Sequence, residues 1–142
     1  MEVRDIMTNQ VITVGQDEPV AAAVRLLRRN NLGALPVCDA AGRLRGMVTD
    51  RDILLRCVAQ GTDIGDVKIS EIMSRGIVTA SPDDSVGRAA EVMAKDRVRR
   101  LPVTAGGRVV GMLSLCDMAR RPECRSECAQ AMQGISSSVS VR

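Results

Sequence analysis

The sequence predicts an α/β protein of the α+β type, built from two β-α-β-β-α repeats packed sheet to sheet with pseudo-twofold symmetry. Three observations predict it. The first is an internal repeat. Laying residue i over residue i+66 matches Asp5-Ile6-Met7-Thr8 with Glu71-Ile72-Met73-Ser74, and Ile12-Thr13-Val14 with Val78-Thr79-Ala80. Asp17-Glu18-Pro19-Val20 falls on Asp83-Asp84-Ser85-Val86, and Leu35-Pro36-Val37 on Leu101-Pro102-Val103. One residue is then lost, after which Gly46-Met47-Val48-Thr49 meets Gly111-Met112-Leu113-Ser114, and Asp52 meets Asp117. About 14 of roughly 47 compared positions are identical. The second observation is the place of that gap: the Asp39-Ala40-Ala41-Gly42 turn, where a deletion disturbs least. The third is the apolar spacing, which alternates within each copy between short strand-like runs and a helical period.

The elements follow in order. Val11-Ile12-Thr13-Val14 is a short β-branched strand, and Gly15 to Pro19 turns the chain into a helix. Val20, Ala23, Val24 and Leu27 recur at helical spacing as far as Asn30. Ala34 to Cys38 is a second strand, Asp39 to Gly42 a hairpin-type turn, and Leu44 to Val48 a third strand. Thr49 begins a second helix that ends near Gly61. The second copy repeats the order: a strand near Ile77 to Ala80, a helix from Val86 to Asp96, strands at 100–104 and 109–113, and a helix from Ser114. The division is thus residues 1–61 for the first repeat, 62–68 for a linker, 69–121 for the second repeat, and 122–142 for a C-terminal segment. In that segment 123–133 reads as a short helix and 134–142 as a flexible tail. Neither repeat buries enough surface alone, so the two are expected to share a core with related clefts between them.

Composition narrows the chemistry. The chain has 142 residues, 45% of them hydrophobic, and no apolar run long enough to span a membrane. It has no histidine, which removes imidazole general-base chemistry and His-containing zinc sites. It has no Phe, Tyr or Trp, so no base can stack on an aromatic platform. Twenty basic against 17 acidic residues give a net charge of +3, too little to argue for nucleic acid. No Gly-x-Ser-x-Gly elbow, Walker loop or Cys-x-x-Cys is present, so no enzyme is expected. The five cysteines and the absence of a secretory leader pattern point to a reducing, cytoplasmic setting.

The repeated Gly-x-x-Thr/Ser-x-x-Asp segments carry the chemistry. Each lies where a strand ends and a helix begins, where unpaired N–H groups favour an anion. The hydroxyl of Thr49 or Ser114 can donate to a phosphate oxygen. The carboxylate of Asp52 or Asp117 can accept from ribose hydroxyls, and Arg51 adds a cation beside the first helix start. Gly46 and Gly111 would let backbone approach a ligand. The same residues also satisfy a helix capping box, and that reading stands beside the first.

With Gly-Ala-Leu-Pro at 33 to 36 and the doubled Gly-x-x-Thr/Ser-x-x-Asp at 46 to 52 and 111 to 117, the chain resembles a tandem pair of CBS domains, a Bateman module. The opening Arg4-Asp5-Ile6-Met7 and the run from Gly46 to Ile53 are similar to small stand-alone bacterial CBS-pair proteins of the hypoxic response type. The resemblance covers roughly residues 1–121. It implies a regulatory or sensor module that binds an adenosine-containing ligand (AMP, ADP, ATP, S-adenosylmethionine or NAD) in clefts between the repeats. It also implies a homodimer of such pairs and an effector protein acted on in trans, with no required cofactor; no metal site is expected, because two thiols at Cys124 and Cys128 are too few ligands and no histidine can add to them. In that family a basic residue just before the Leu-Pro step reaches phosphate, which puts Arg100 among the candidates. Adenine would lie on the aliphatic walls of Ile12 and Val78, with Met7 or Met73 near. The alternative is a module that binds no nucleotide and responds through its cysteines and dimer surface. Cys38, Cys57 and Cys116 read equally well as small apolar residues, and Cys124 and Cys128 as free thiols on one helix face.

Overall fold

The computed structural model describes residues 1–137 and divides them into two compact units. The middle unit is Ile12–Ile77. The terminal unit joins Met1–Val11 to the described residues from Val78 onward. Each unit therefore takes its leading segment from the opposite sequence repeat.

In the middle unit, β1 (Val14–Gly15), β2 (Ala34–Cys38) and β3 (Leu44–Thr49) form one sheet in that order. β1 runs parallel to β2 through Val14↔Val37, and β2 runs antiparallel to β3, with Leu35 opposite Val48. The helix α2 (Val20–Asn30) buries Val20, Ala23 and Leu27 against the sheet, as the apolar period requires. Leu35, Val37, Val48 and Ile69 are fully buried in the same core. Each such side chain contributes about 1.5–3 kcal/mol. Pro19 has no side chain with which to cap α2. Main-chain carbonyls do it instead: Val20 N donates to Val67 O at 2.8 Å and Ala21 N to Ile64 O at 2.9 Å. The stretch between the repeats is thus tied to this unit. A short helix, α3 (Asp50–Ile53), follows β3 and continues as a π-helical turn over Leu54–Val58.

The terminal unit repeats the plan. Its helix α1 (Val3–Ile6) precedes α4 (Val86–Asp96), and β4 (Arg100–Ala105) pairs antiparallel with β5 (Arg108–Ser114). Val86 N donates to Met1 O at 3.1 Å and Val3 N to Asp84 O at 2.8 Å. Met1 and Val67 are 66 positions apart, so the two units cap their first long helices with equivalent residues. After β5 come α5 (Leu115–Ala119), a 3-10 turn at Pro122–Cys124 and α6 (Arg125–Ser136). Cys124, Cys128 and Ala131 are buried in the core with Ala90, Met93 and Met118.

Three expectations change. The strand at 11–14 is only Val14–Gly15, and that near 77–80 reduces to a single bridge, Ala80↔Val103. β-branched residues hold a strand only where a partner edge faces them, and here the ladder engages just those positions. The C-terminal helix runs past 133 to Ser136 because Gly134, lacking a side chain, lets α6 close on Ala94 of α4. Of the expected flexible tail, residues 138–142 lie outside the described residues.

Candidate functional site

The two Thr/Ser-x-x-Asp segments have one geometry. In the middle unit Thr49 caps α3: Thr49 Oγ1 accepts from Asp52 N at 3.0 Å, and Asp52 Oδ2 accepts from Thr49 N at 3.0 Å. In the terminal unit Ser114 Oγ accepts from Asp117 N at 3.1 Å, and Asp117 Oδ2 accepts from Ser114 N at 2.8 Å. Both are full capping boxes. The helix that follows is also pinned to the strand before it. Asp50 N donates to Gly33 O at 3.1 Å, and Leu115 N to Arg99 O at 2.8 Å.

The box does not exhaust these side chains. Each hydroxyl oxygen accepts within the box, so its own hydrogen remains available to donate. Each carboxylate keeps Oδ1 for a cation. Arg120 Nη2 lies 2.9 Å from Asp117 Oδ1, and Arg56 Nη2 lies 3.6 Å from Asp52 Oδ1. Asp117 is 8% exposed, so its pairing is the more shielded of the two.

Three arginines were not singled out by sequence reasoning: Arg120, already paired with Asp117, and the two that reach the leading segments, Arg56 and Arg121. Arg56 Nη1 donates to Ile72 O at 2.9 Å and to Ser74 Oγ at 3.3 Å. Arg121 Nη2 donates to Asp5 O at 3.0 Å. The two are 65 positions apart, which is the offset of the repeat after its gap. That coincidence was the signal. Each ties the end of its capped helix to the leading segment beside it.

The leading segments also explain the glycines. Met47 and Ser74 exchange backbone hydrogen bonds of 3.0 and 2.8 Å, and Thr8 and Met112 exchange two of 2.9 Å. A Cβ on Gly46 would stand 2.5 Å from Ser74 O. One on Gly111 would stand 2.6 Å from Met7 Sδ and 3.0 Å from Thr8 O. Gly46 and Gly111 therefore admit the leading segment, and this correction replaces the reading that they admit a ligand.

The candidate residues fall into two sets. Ile12, Thr49, Arg51, Asp52 and Met73 belong to the middle unit, and Met7, Val78, Arg100, Ser114 and Asp117 to the terminal unit. Ile12 and Val78 are half-buried, each against its own core. Met73 is buried and Met7 partly so. Arg51 is exposed and, among the described residues, in no ion pair. Arg100 lies directly across the ladder from Ser114, where the middle unit has Ala34 opposite Thr49. That places a cross-strand cation beside the second cap, where the first cap has none across its ladder. Arg97 serves the backbone: it ends α4 in the left-handed region at φ 56°, as Asn31 ends α2 at φ 52°.

Of the thiols, Cys38, Cys57, Cys124 and Cys128 are buried and Cys116 is exposed. Burial pushes the Cys38 and Cys124 thiols above the ordinary value, which keeps them protonated and unreactive. Among the described residues no group of three or more His, Cys, Asp or Glu side chains is placed to hold a metal ion. No helix among them is long and apolar enough to cross a membrane.

A family model described as the CBS domain matches residues 3–59 and 69–123. The CBS domain-containing protein YhcV of Bacillus subtilis is 40% identical over 134 residues, covering 94% of each chain. The crystal structure of Hypoxic Response Protein I, which holds two coordinated zinc ions, is similar with a TM-score of 0.79 at 36% identity. It covers 85% of this chain and 98% of that one. The CBS domain pair of protein MJ0100, in complex with 5'-methylthioadenosine and S-adenosyl-L-methionine, gives a TM-score of 0.75 at 32% identity, over 84% and 94% of the two chains.

Proposed function

The chain belongs to the CBS-domain family, and a tandem pair of these domains makes up most of it; on that footing we propose that it is a sensor that binds an adenosine-containing ligand at its Thr/Ser-x-x-Asp caps. The observation that carries this reading is the doubled cap. In both units a hydroxyl with a free hydrogen stands beside a carboxylate held in place by two anchors, a backbone N–H and an arginine. A ribose needs an acceptor and a phosphate needs donors, and the caps offer both. The adenosine ligands of the MJ0100 pair support the ligand class. Arg100 beside Ser114 and Arg51 beside Thr49 supply the charge for a phosphate, and Ile12 and Val78 the apolar wall for the base. The caps suit binding rather than bond-making, since their carboxylates are held by the backbone and by arginines instead of facing a nucleophile. The output passes in trans from a homodimer to an effector protein.

A dye-based thermal melt of the reduced protein with AMP, ADP, ATP, S-adenosylmethionine and NAD tests this reading. A ligand at about 100 times its dissociation constant adds roughly 2.7 kcal/mol, a shift of about 5–10 °C. The expected outcome is a shift with at least one adenosine compound and none with free ribose. No shift with any of them leaves the caps as helix caps alone.

A further inference from the structure

The terminal unit carries an open groove of about 380 Å³ between the end of α5 and one face of α6. Its two ends differ in chemistry. Arg120, Arg121 and Arg125 stand at one end, and Cys128, Ala129 and Met132 lead away from them along α6. Positions 125, 128, 129 and 132 share one helix face, and the seven-residue step from Arg125 to Met132 spans about 10 Å. At the far end Met132 is 54% exposed.

Most of the charge at the arginine end is unmatched. Among the described residues no acidic side chain lines the groove. Arg120 is paired, through Asp117 Oδ1 at 2.9 Å. Arg121 reaches only a neutral acceptor, Asp5 O at 3.0 Å, which leaves its charge uncompensated. Arg125 is exposed and, among the described residues, in no ion pair. Cys124 gives α6 no side-chain cap, so the positive end of that helix adds to the same end of the groove. The charge is particular to this unit. At the offset of the repeat after its gap, Arg120 and Arg125 stand where the first copy has Leu55 and Gln60.

A cleft of this volume suits a small molecule, and such clefts are mostly apolar with a few polar groups that fix orientation. Guanidinium groups fit a phosphate or carboxylate, and the apolar floor beyond them fits a hydrocarbon tail. An inorganic anion would leave the floor empty, and an uncharged chain would leave the arginines unmatched. We propose that this groove binds a free anionic amphiphile, a phosphate or carboxylate head on an unbranched apolar tail. The head lies at Arg121 and Arg125, and the tail runs over Ala129 to Met132. This goes beyond the ligand proposed for the caps and does not rest on it.

The probe is octyl phosphate, held below its micelle concentration and titrated into the full chain. Isothermal titration calorimetry gives the affinity. Carbon-13 methyl spectra give the place, with Met132→Leu identifying the Met132 signal. The expected result is a saturable shift of the Met132 methyl, with binding at least about tenfold tighter than that of inorganic phosphate, butyl phosphate or octanol. Arg125→Glu, at an exposed position, weakens octyl phosphate at least about tenfold. Arg108→Glu, an exposed arginine on β5 with the same change of charge, leaves the affinity unaltered. Ala129→Glu, exposed on the floor, repeats the loss if Arg125→Glu does not fold, as circular dichroism will show. Octanol binding as tightly as octyl phosphate, affinity indifferent to both groove variants, or an unmoved Met132 methyl overturns the proposal. Polyglutamate that competes as well as octyl phosphate, or co-sedimentation with phosphatidylglycerol vesicles, assigns the groove to an acidic polypeptide or a bilayer and overturns the free amphiphile.

Discussion

Replacing Gly46 by alanine tests how the leading segment is held. An added Cβ would sit 2.5 Å from the carbonyl oxygen of Ser74, roughly 1 Å short of ordinary contact. The blocking atom is backbone, so no rotamer relieves it. Either the clash is absorbed as overpacking strain, about 1–3 kcal/mol, or the segment retreats. Retreat loses the two Met47–Ser74 hydrogen bonds at about 1 kcal/mol each. Against this, alanine narrows the unfolded ensemble by about 0.4–1 kcal/mol. The net loss is about 1–2 kcal/mol, a fall in Tm of roughly 3–6 °C. Gly111→Ala loses less, because its nearest atom is the end of the flexible Met7 side chain. Gly87→Ala is the control of opposite sign. It lies in α4 with only Ser85 Oγ near, at 3.9 Å, and alanine there gains about 0.5–1 kcal/mol. Thermal melts of the three variants decide it. If Gly46→Ala melts at or above the parent, the close approach of the segment at Ser74 is wrong.

Two further predictions concern the thiols and the acid limb. In the native reduced protein Cys116 reacts first with a maleimide, while Cys38, Cys57, Cys124 and Cys128 react only as the chain opens; mass spectrometry showing Cys38 or Cys124 labelled as fast as Cys116 contradicts this. Asp39 is held below the ordinary carboxyl range of 3.8, first by the Arg43 N–H, with the Arg45 guanidinium and the Ala41 N–H adding to it against its own desolvation. A depressed folded value means stability that is present above the unfolded pKa and lost as pH falls through the folded one. Asp39→Asn should therefore flatten the melting-temperature profile below about pH 4, and an unchanged acid limb counts against the assignment.

The repeat made much of this protein readable from its residues. The helices at Val20–Asn30 and Val86–Asp96 and both hairpins follow from local spacing and turn chemistry, which the fold does not override. The capping box at Thr49 and Ser114 was readable for the same reason: it joins residues three apart. What was not readable depends on long-range pairing. Residues 11–13 have strand-like side chains but no facing edge. Met7 and Met73 look equivalent, and only the exchange of leading segments assigns each to a unit. Gly46 and Gly111 read as ligand space because the segment that fills the space lies far along the chain. Helix α6 has no counterpart in the first repeat, so repetition said nothing of the face it covers.

The most direct test of ligand binding at the caps uses methionine methyl groups as reporters. The chain has eight methionines and no Phe, Tyr, Trp or His, so a bound adenine would be the one aromatic ring near them. Carbon-13 methyl spectra would be recorded while AMP, ATP and S-adenosylmethionine are titrated into the parent, Asp52→Asn and Asp117→Asn proteins. Asparagine keeps an acceptor for the cap but gives up the carboxylate. Binding at the caps predicts a saturable shift of the Met7 or Met73 methyl, lost in the variant of the same unit. If no methionine methyl moves at saturating ligand, or if the shift survives both substitutions, adenosine binding at the caps is refuted.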